Sequence, residues 1–131
     1  MTAGINPVIA NQILDSLFSN AAWTPPAACY VQLHTGDPGV AGTANISSYT
    51  TRTAVTWSSS VNGTKSIAAP LTITASWAAT NNEVITHVSF WSAVTSGTFV
   101  VSDQLLNSVT AATGASVTLS SLTAPLTPVA A

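Results

Sequence analysis

Apolar and polar positions change their spacing along the chain. In residues 6–20, NPVIANQILDSLFSN, Ile9, Ile13 and Leu17 recur every fourth position with Leu14 and Phe18 beside them, while Gln12, Asp15, Ser16 and Ser19 fall on the other side. That spacing predicts an amphipathic helix. Asn6 suits the N-cap, Pro7 the first helical position, where a missing N–H costs nothing, and Asn20 a left-handed close. A helix this short is marginal alone, so its stripe must dock on something. The plainer expectation is one face of the sheet that follows; the alternative is a neighbouring subunit.

The linker at 21–28, AAWTPPAA, breaks the period, and its two prolines favour an extended connector. From residue 29 the pattern is that of strands. Cys29, Val31 and Leu33 alternate with Tyr30, Gln32 and His34. Residues 36–50 are rich in Gly, Ser, Thr and Asn and read as a long loop. Further strands are expected at 52–57, 66–76, 84–91, 99–105 and 117–122. Asn62-Gly63, Asn81-Asn82, the TSGT at 95–98 and Gly114 supply the turns. Residues 84–91 carry apolar side chains on both faces, as a covered central strand would. About six to eight short strands joined by turns, after one helix, predict an antiparallel β-sandwich rather than βαβ units. The expected organisation is one domain over 1–131: helix 6–20, linker 21–28, β-sandwich 29–122 and an extended C-terminal tail 123–131. The tail, with two prolines and no partner pattern, is expected to fray or to lie along a neighbour.

Charge sharpens the picture. Only 5% of the residues are Asp, Glu, Lys or Arg, against roughly 25% in an ordinary soluble domain. Arg52 and Lys65 are the only cations, so nucleic acid and anionic membrane surfaces are poor partners. No apolar run reaches the roughly 18 residues of a membrane span, and the N-terminus lacks the basic region of a signal peptide. The protein is therefore expected to be made in the cytoplasm and not secreted, and the Asn45-Ile46-Ser47 and Asn62-Gly63-Thr64 sequons are read as chance matches. A surface of hydroxyls and amides packs against other protein with few ions to strip of water, which leans toward a part of an assembly.

Candidate chemistry is sparse. Cys29, His34, Asp37 and His87 are metal-ligand types, but they lack the paired short spacings of a zinc site. His34, His87, Asp37 and Asp103 could partner a serine, yet no Gly-x-Ser-x-Gly elbow is present. Four scattered acids offer few carboxylate pairs for glycoside hydrolysis. TGDPGVAG has glycines without the Lys-Ser/Thr end of a phosphate loop. Trp23, Trp57, Trp77 and Trp91 are read as core or interface residues rather than a sugar-stacking platform. His34 is read as a loop tether. Asp37, Pro38 and Gly39 are read as a turn in which the aspartate bonds the backbone ahead of it. No catalytic, cofactor-binding or metal-binding residue is assigned.

The landmarks carry more in sequence than singly. YVQLHTGDPG from Tyr30, GTAN from Gly42, AVTW (54–57), VNGTKSIAAPLTI (61–73), SWAATNNEVITHVSFWSAVTSGTF (76–99) and GASVTLSSL (114–122) follow one another in an order that resembles a family of small tailed-bacteriophage virion proteins. That family carries a Tyr-x-x-Leu-x-Thr-x-Asp-Pro-Gly segment followed by a Tyr-x-Arg strand; here Tyr49 and Arg52 stand one residue further apart. The resemblance implies a non-enzymatic structural role and homo-oligomers, in tail fibre or minor tail proteins or in capsid decoration proteins. A fibre shaft needs heptads or β-helical repeats, and the sequence shows neither. The expectation is therefore a capsid decoration protein, assembled as a homo-oligomer, most plausibly a trimer, on the virion surface and bound to the major capsid protein. The alternative is a minor tail or tail-fibre component contacting tail proteins, including a receptor- or glycan-binding module with Trp91 or Tyr49 exposed in a groove.

Overall fold

The computed structural model describes residues 3–74 and 82–125. One helix, α1 (Pro7–Ser19), precedes eight strands: β1 (Cys29–His34), β2 (Thr53–Val55), β3 (Thr64–Ser66), β4 (Leu71–Thr74), β5 (Glu83–Trp91), β6 (Phe99–Ala111), β7 (Ser116–Leu119) and β8 (Thr123–Pro125). The helix ends are those the sequence predicts. The Asn6 side chain accepts the Val8 N–H, Pro7 follows it, and Asn20 closes the helix at φ 52° with its N–H on the Asp15 carbonyl.

Four strands form an antiparallel sheet in the order β2-β1-β5-β6, beside two ribbons, β3–β8 and β4–β7. One apolar core joins the sheet to the β4–β7 ribbon. Val31 and Leu33 of β1, Val55 of β2 and Ile85, Val88 and Phe90 of β5 meet Ile73 of β4 and Val117 and Leu119 of β7 there. This is the layered arrangement that period-two strands demand, each face of the pleat needing cover. A register shift between β5 and β6 falls between Ile85 and His87. Across it the inward face changes parity, so Ile85 and Val88, three residues apart, share the core.

Several elements differ from expectation. The strand expected at 66–76 is two short strands, β3 and β4, with Pro70 between them; a residue without an N–H cannot carry a ladder through. The strand expected at 99–105 runs on to Ala111, because pairing resumes beyond the register shift where Val109 meets Ile85. The tail expected from 123 begins as a strand: Ser66, Lys65 and Thr64 pair with Thr123, Ala124 and Pro125. Three residues ending in proline show no alternation to read. Residues 126–131 of that tail, Trp77 and half of the Asn81-Asn82 turn lie outside the described residues. Asn62-Gly63 is a two-residue hairpin turn, both residues at positive φ (48° and 72°), closed by reciprocal 2.9 Å bonds between Val61 and Thr64.

The largest correction concerns α1. Its stripe does not cover the sheet. Ile9 is its only buried residue, and every residue from Leu14 to Asn20 is exposed. The polar face of β1 is covered by the loop after it, which pairs along the strand edge, the Ser47 N–H reaching the Leu33 carbonyl at 3.0 Å, and brings the Ala44 and Tyr49 carbonyls to the His34 and Gln32 side chains.

Candidate functional site

Among the described residues, the buried polar side chains Gln32, His34, Ser47, Ser89 and Ser102 gather around that face and its loop. His34 is fully buried at the end of β1. Its Nδ1 lies 2.7 Å from the Ala44 carbonyl and its Nε2 lies 2.7 Å from Ser89 Oγ. A carbonyl only accepts, so Nδ1 carries the proton and Nε2 accepts from the Ser89 hydroxyl. Ser89 Oγ in turn accepts the Trp91 indole N–H at 2.8 Å. The chain of donors runs Trp91 to Ser89 to His34 to Ala44, and it pins the 35–47 loop to the central strand.

A serine hydroxyl 2.7 Å from an imidazole oriented through its other nitrogen is also the geometry of a nucleophile and its base. Here both partners are buried, Ser89 and His34 each at 0% exposure. A substrate atom cannot reach Ser89 without displacing the loop, and Ser89 is already committed to two partners. Burial holds the His34 imidazole below its ordinary range; the Ala44 carbonyl offsets part of this, and the charges of His87 and Arg52 add to it. The arrangement is a tether, as the sequence suggests.

The other candidates are dispersed. Asp37 accepts the Gly39 N–H at 2.8 Å, and Gly39 sits at φ 71°, so it makes the expected turn. His87 faces His34 across the β1–β5 pair, but its Nδ1 bonds Thr86 Oγ1 at 2.8 Å. Asp103 lies on β6 opposite Val88, its carboxyl raised by burial and partly restored by the Gln104 N–H and the nearby His87. Cys29 is half-buried at the start of β1. Burial pushes its thiol up, more than the Trp57 indole and the charge of Lys65 pull it down, which keeps it protonated at neutral pH. Apart from this weak interaction with the Cys29 sulfur, the buried Trp57 indole N–H has no hydrogen-bond partner. Among the described residues no three His, Cys, Asp or Glu side chains cluster as metal ligands would.

Sequence reasoning missed Ser89, Glu83 and the role of Arg52. Glu83 at the start of β5 accepts from Ser47 Oγ (2.8 Å), the Ser48 N–H (2.9 Å) and Ser48 Oγ (3.0 Å), a second anchor for the same loop. Arg52 places its guanidinium 3.7 Å from the centre of the Trp91 ring and donates to the Ala93 and Ser96 carbonyls, holding the turn after β5. Trp91 is 7% exposed and packs on Phe99, with ring centres 5.6 Å apart. Trp57 packs on Phe90 at 5.2 Å. Tyr49 is half-buried against the core. Neither Trp91 nor Tyr49 therefore forms an exposed stacking surface of the kind the glycan-binding alternative needs.

The surface most unlike that of an ordinary domain is α1. Leu17 and Phe18 keep 71% and 78% of their surface in solvent, and Leu14 keeps 52%. No helix among the described residues is long and apolar enough to cross a membrane. A family sequence model described as Podophage GP4 fiber I protein gp80 matches residues 4–126, from ahead of α1 to the end of β8. No curated protein matches the chain.

Proposed function

The chain belongs to the podophage GP4 fiber I protein gp80 family, a family of phage virion structural proteins, and from that premise we propose that it is a tail-fibre component that assembles with copies of itself as a trimer and has no catalytic activity. The observation that carries this reading is the span of the match, which takes in the helix and every described strand. It favours the tail-fibre alternative over capsid decoration. The missing heptads bear on a shaft alone; a compact domain of a fibre needs none.

The interior is consistent with a structural role. Its polar groups are spent on fixing the loop after β1: Ser89 through His34, and Glu83 through Ser47 and Ser48. A surface of few ions loses little hydration on joining a larger particle, and repeated small contacts make such attachment persistent. Immunogold labelling of intact particles with antibody to this chain tests the location. Gold on the tail is the expected result. Gold spread over the head would return the reading to capsid decoration, and clearing of a cell-wall zymogram by purified protein would overturn the non-catalytic part.

A further inference from the structure

We infer that the free arc of α1 is the surface through which copies of this chain meet, the helices of the assembly packing against one another about its axis. The inference rests on the self-assembly proposed above and names its contact.

At about 100° per residue, Leu17, Leu14 and Phe18 fall within one arc roughly 100° wide, with Ala10 and Ile13 extending it toward the body. The last two turns project beyond the domain, every side chain from Leu14 onward being exposed. The first turn does not move freely. Asn6 donates its N–H to the Val100 carbonyl at 2.9 Å and its Nδ2 to the Phe99 carbonyl at 2.7 Å, and the Ser102 N–H reaches the Gly4 carbonyl at 2.9 Å. A clamp at one end thus aims an apolar half-helix into solvent. Thirteen residues are too few to hold a helix in water without a partner.

Charge indicates the partner. The helix has one charged side chain, Asp15, about 100° around from Leu14 and so outside the arc. It has no cation with which to approach an anionic lipid surface or an acidic protein. Identical arcs meet with no opposed charges, and because each helix is clamped alike, copies related by a rotation axis present their arcs to that axis in the same orientation. Area sets the number. Three such side chains expose on the order of a few hundred Å², short of the roughly 800 Å² per partner of a standard interface. Two helices alone would hold weakly. Around a three-fold axis each arc is enclosed by two neighbours, so more of its width leaves water than against a single helix.

The test is sedimentation velocity on the full chain across micromolar concentrations, comparing wild type with Leu17→Asp/Phe18→Asp, and with Leu106→Asp as a control at a still more exposed strand position. The altered helix residues are largely exposed in the isolated fold, so circular dichroism of the strands is expected to match wild type. The expected result is assembly by wild type and the Leu106 variant and a dissociation constant raised about 100-fold or more in the helix variant. A helix variant that assembles like wild type overturns the assignment of α1 while leaving self-assembly intact. A wild type that stays monomeric at every concentration overturns both, and wild type that sediments as a monomer but floats with neutral or anionic vesicles replaces the second copy with lipid.

Discussion

Replacing His34 with alanine is the sharpest test of the loop tether. The side chain is fully buried and fills its site between β1, β5 and the returning loop. Removing a buried side chain of this size costs about 2–5 kcal/mol through lost contacts and the cavity left behind. The Ser89 hydroxyl loses its acceptor in a dry site, a further penalty of about 1–3 kcal/mol. The Ala44 carbonyl lies near the surface and takes water instead, so it adds little. These terms overlap, and the expected loss is about 3–5 kcal/mol, a large share of the roughly 5–15 kcal/mol that holds a domain folded. Urea unfolding followed by tryptophan emission measures it.

The same substitution carries a pH signature. The network needs neutral imidazole, and burial keeps the folded pKa below the 6.5 of a free histidine. Below pH 6.5 the unfolded chain takes up a proton at His34 that the folded chain refuses. Stability is therefore fully present above that pH and falls, by up to about 1.4 kcal/mol per pH unit, as the pH drops toward the folded pKa. Asp103 acts in the opposite direction. Its folded pKa is raised from 3.8, so the folded state binds that proton first and gains stability as the pH falls through the raised value. Both proteins contain Asp103, and it cancels in the difference between them. The difference should shrink as the pH falls below 6.5, until the lowered folded pKa of His34 is reached. A variant within about 1 kcal/mol of wild type, or a difference that does not change with pH, refutes the tether.

Two further substitutions probe the same side of the sheet. Gly42 sits at φ +70°, and a Cβ there would fall 2.5 Å from Phe99 Cδ2, so Gly42→Ala should cost about 2 kcal/mol or more in a thermal melt; an unchanged midpoint would contradict the close approach. Arg52→Lys keeps the charge but loses the planar fork that spans the Trp91 ring and two carbonyls, and should cost about 1–2 kcal/mol with a red shift in tryptophan emission. Emission and stability both equal to wild type would show that the stacking contributes nothing.

Much of this fold was legible because local rules agreed with the final packing. Asn6-Pro7 and Asn20 bounded α1 correctly, since caps act within a turn of the chain. Cys29–His34 was readable to the residue because strict alternation ended at a turn of Asp, Pro and Gly. What failed was pairing at a distance. β3 and β8 are three residues each, too short for a period to show, and they exist because they pair across nearly sixty positions. The polar site was half visible. His34 and Asp37 drew notice as rare residues, whereas Ser89 is one serine among many, and only the β1–β5 register, which pairs Gln32 with Ser89, brings it to the imidazole.

Alternation also placed Gln32 and His34 on the polar face of β1, without showing whether that face meets water or protein. Both are buried, at 4% and 0%, because the loop after β1 returns over them and answers each with a carbonyl, Tyr49 for Gln32 and Ala44 for His34. The helix presents the converse case. Its apolar stripe reads as docking either on the sheet or on a neighbouring subunit, and the fold leaves everything from Leu14 onward in solvent. Periodicity states which side of an element avoids water and which tolerates it; it carries no information about what supplies the cover. Loosening the loop in the His34→Ala variant should leave the helix arc, and any assembly it supports, in place so long as the domain remains folded.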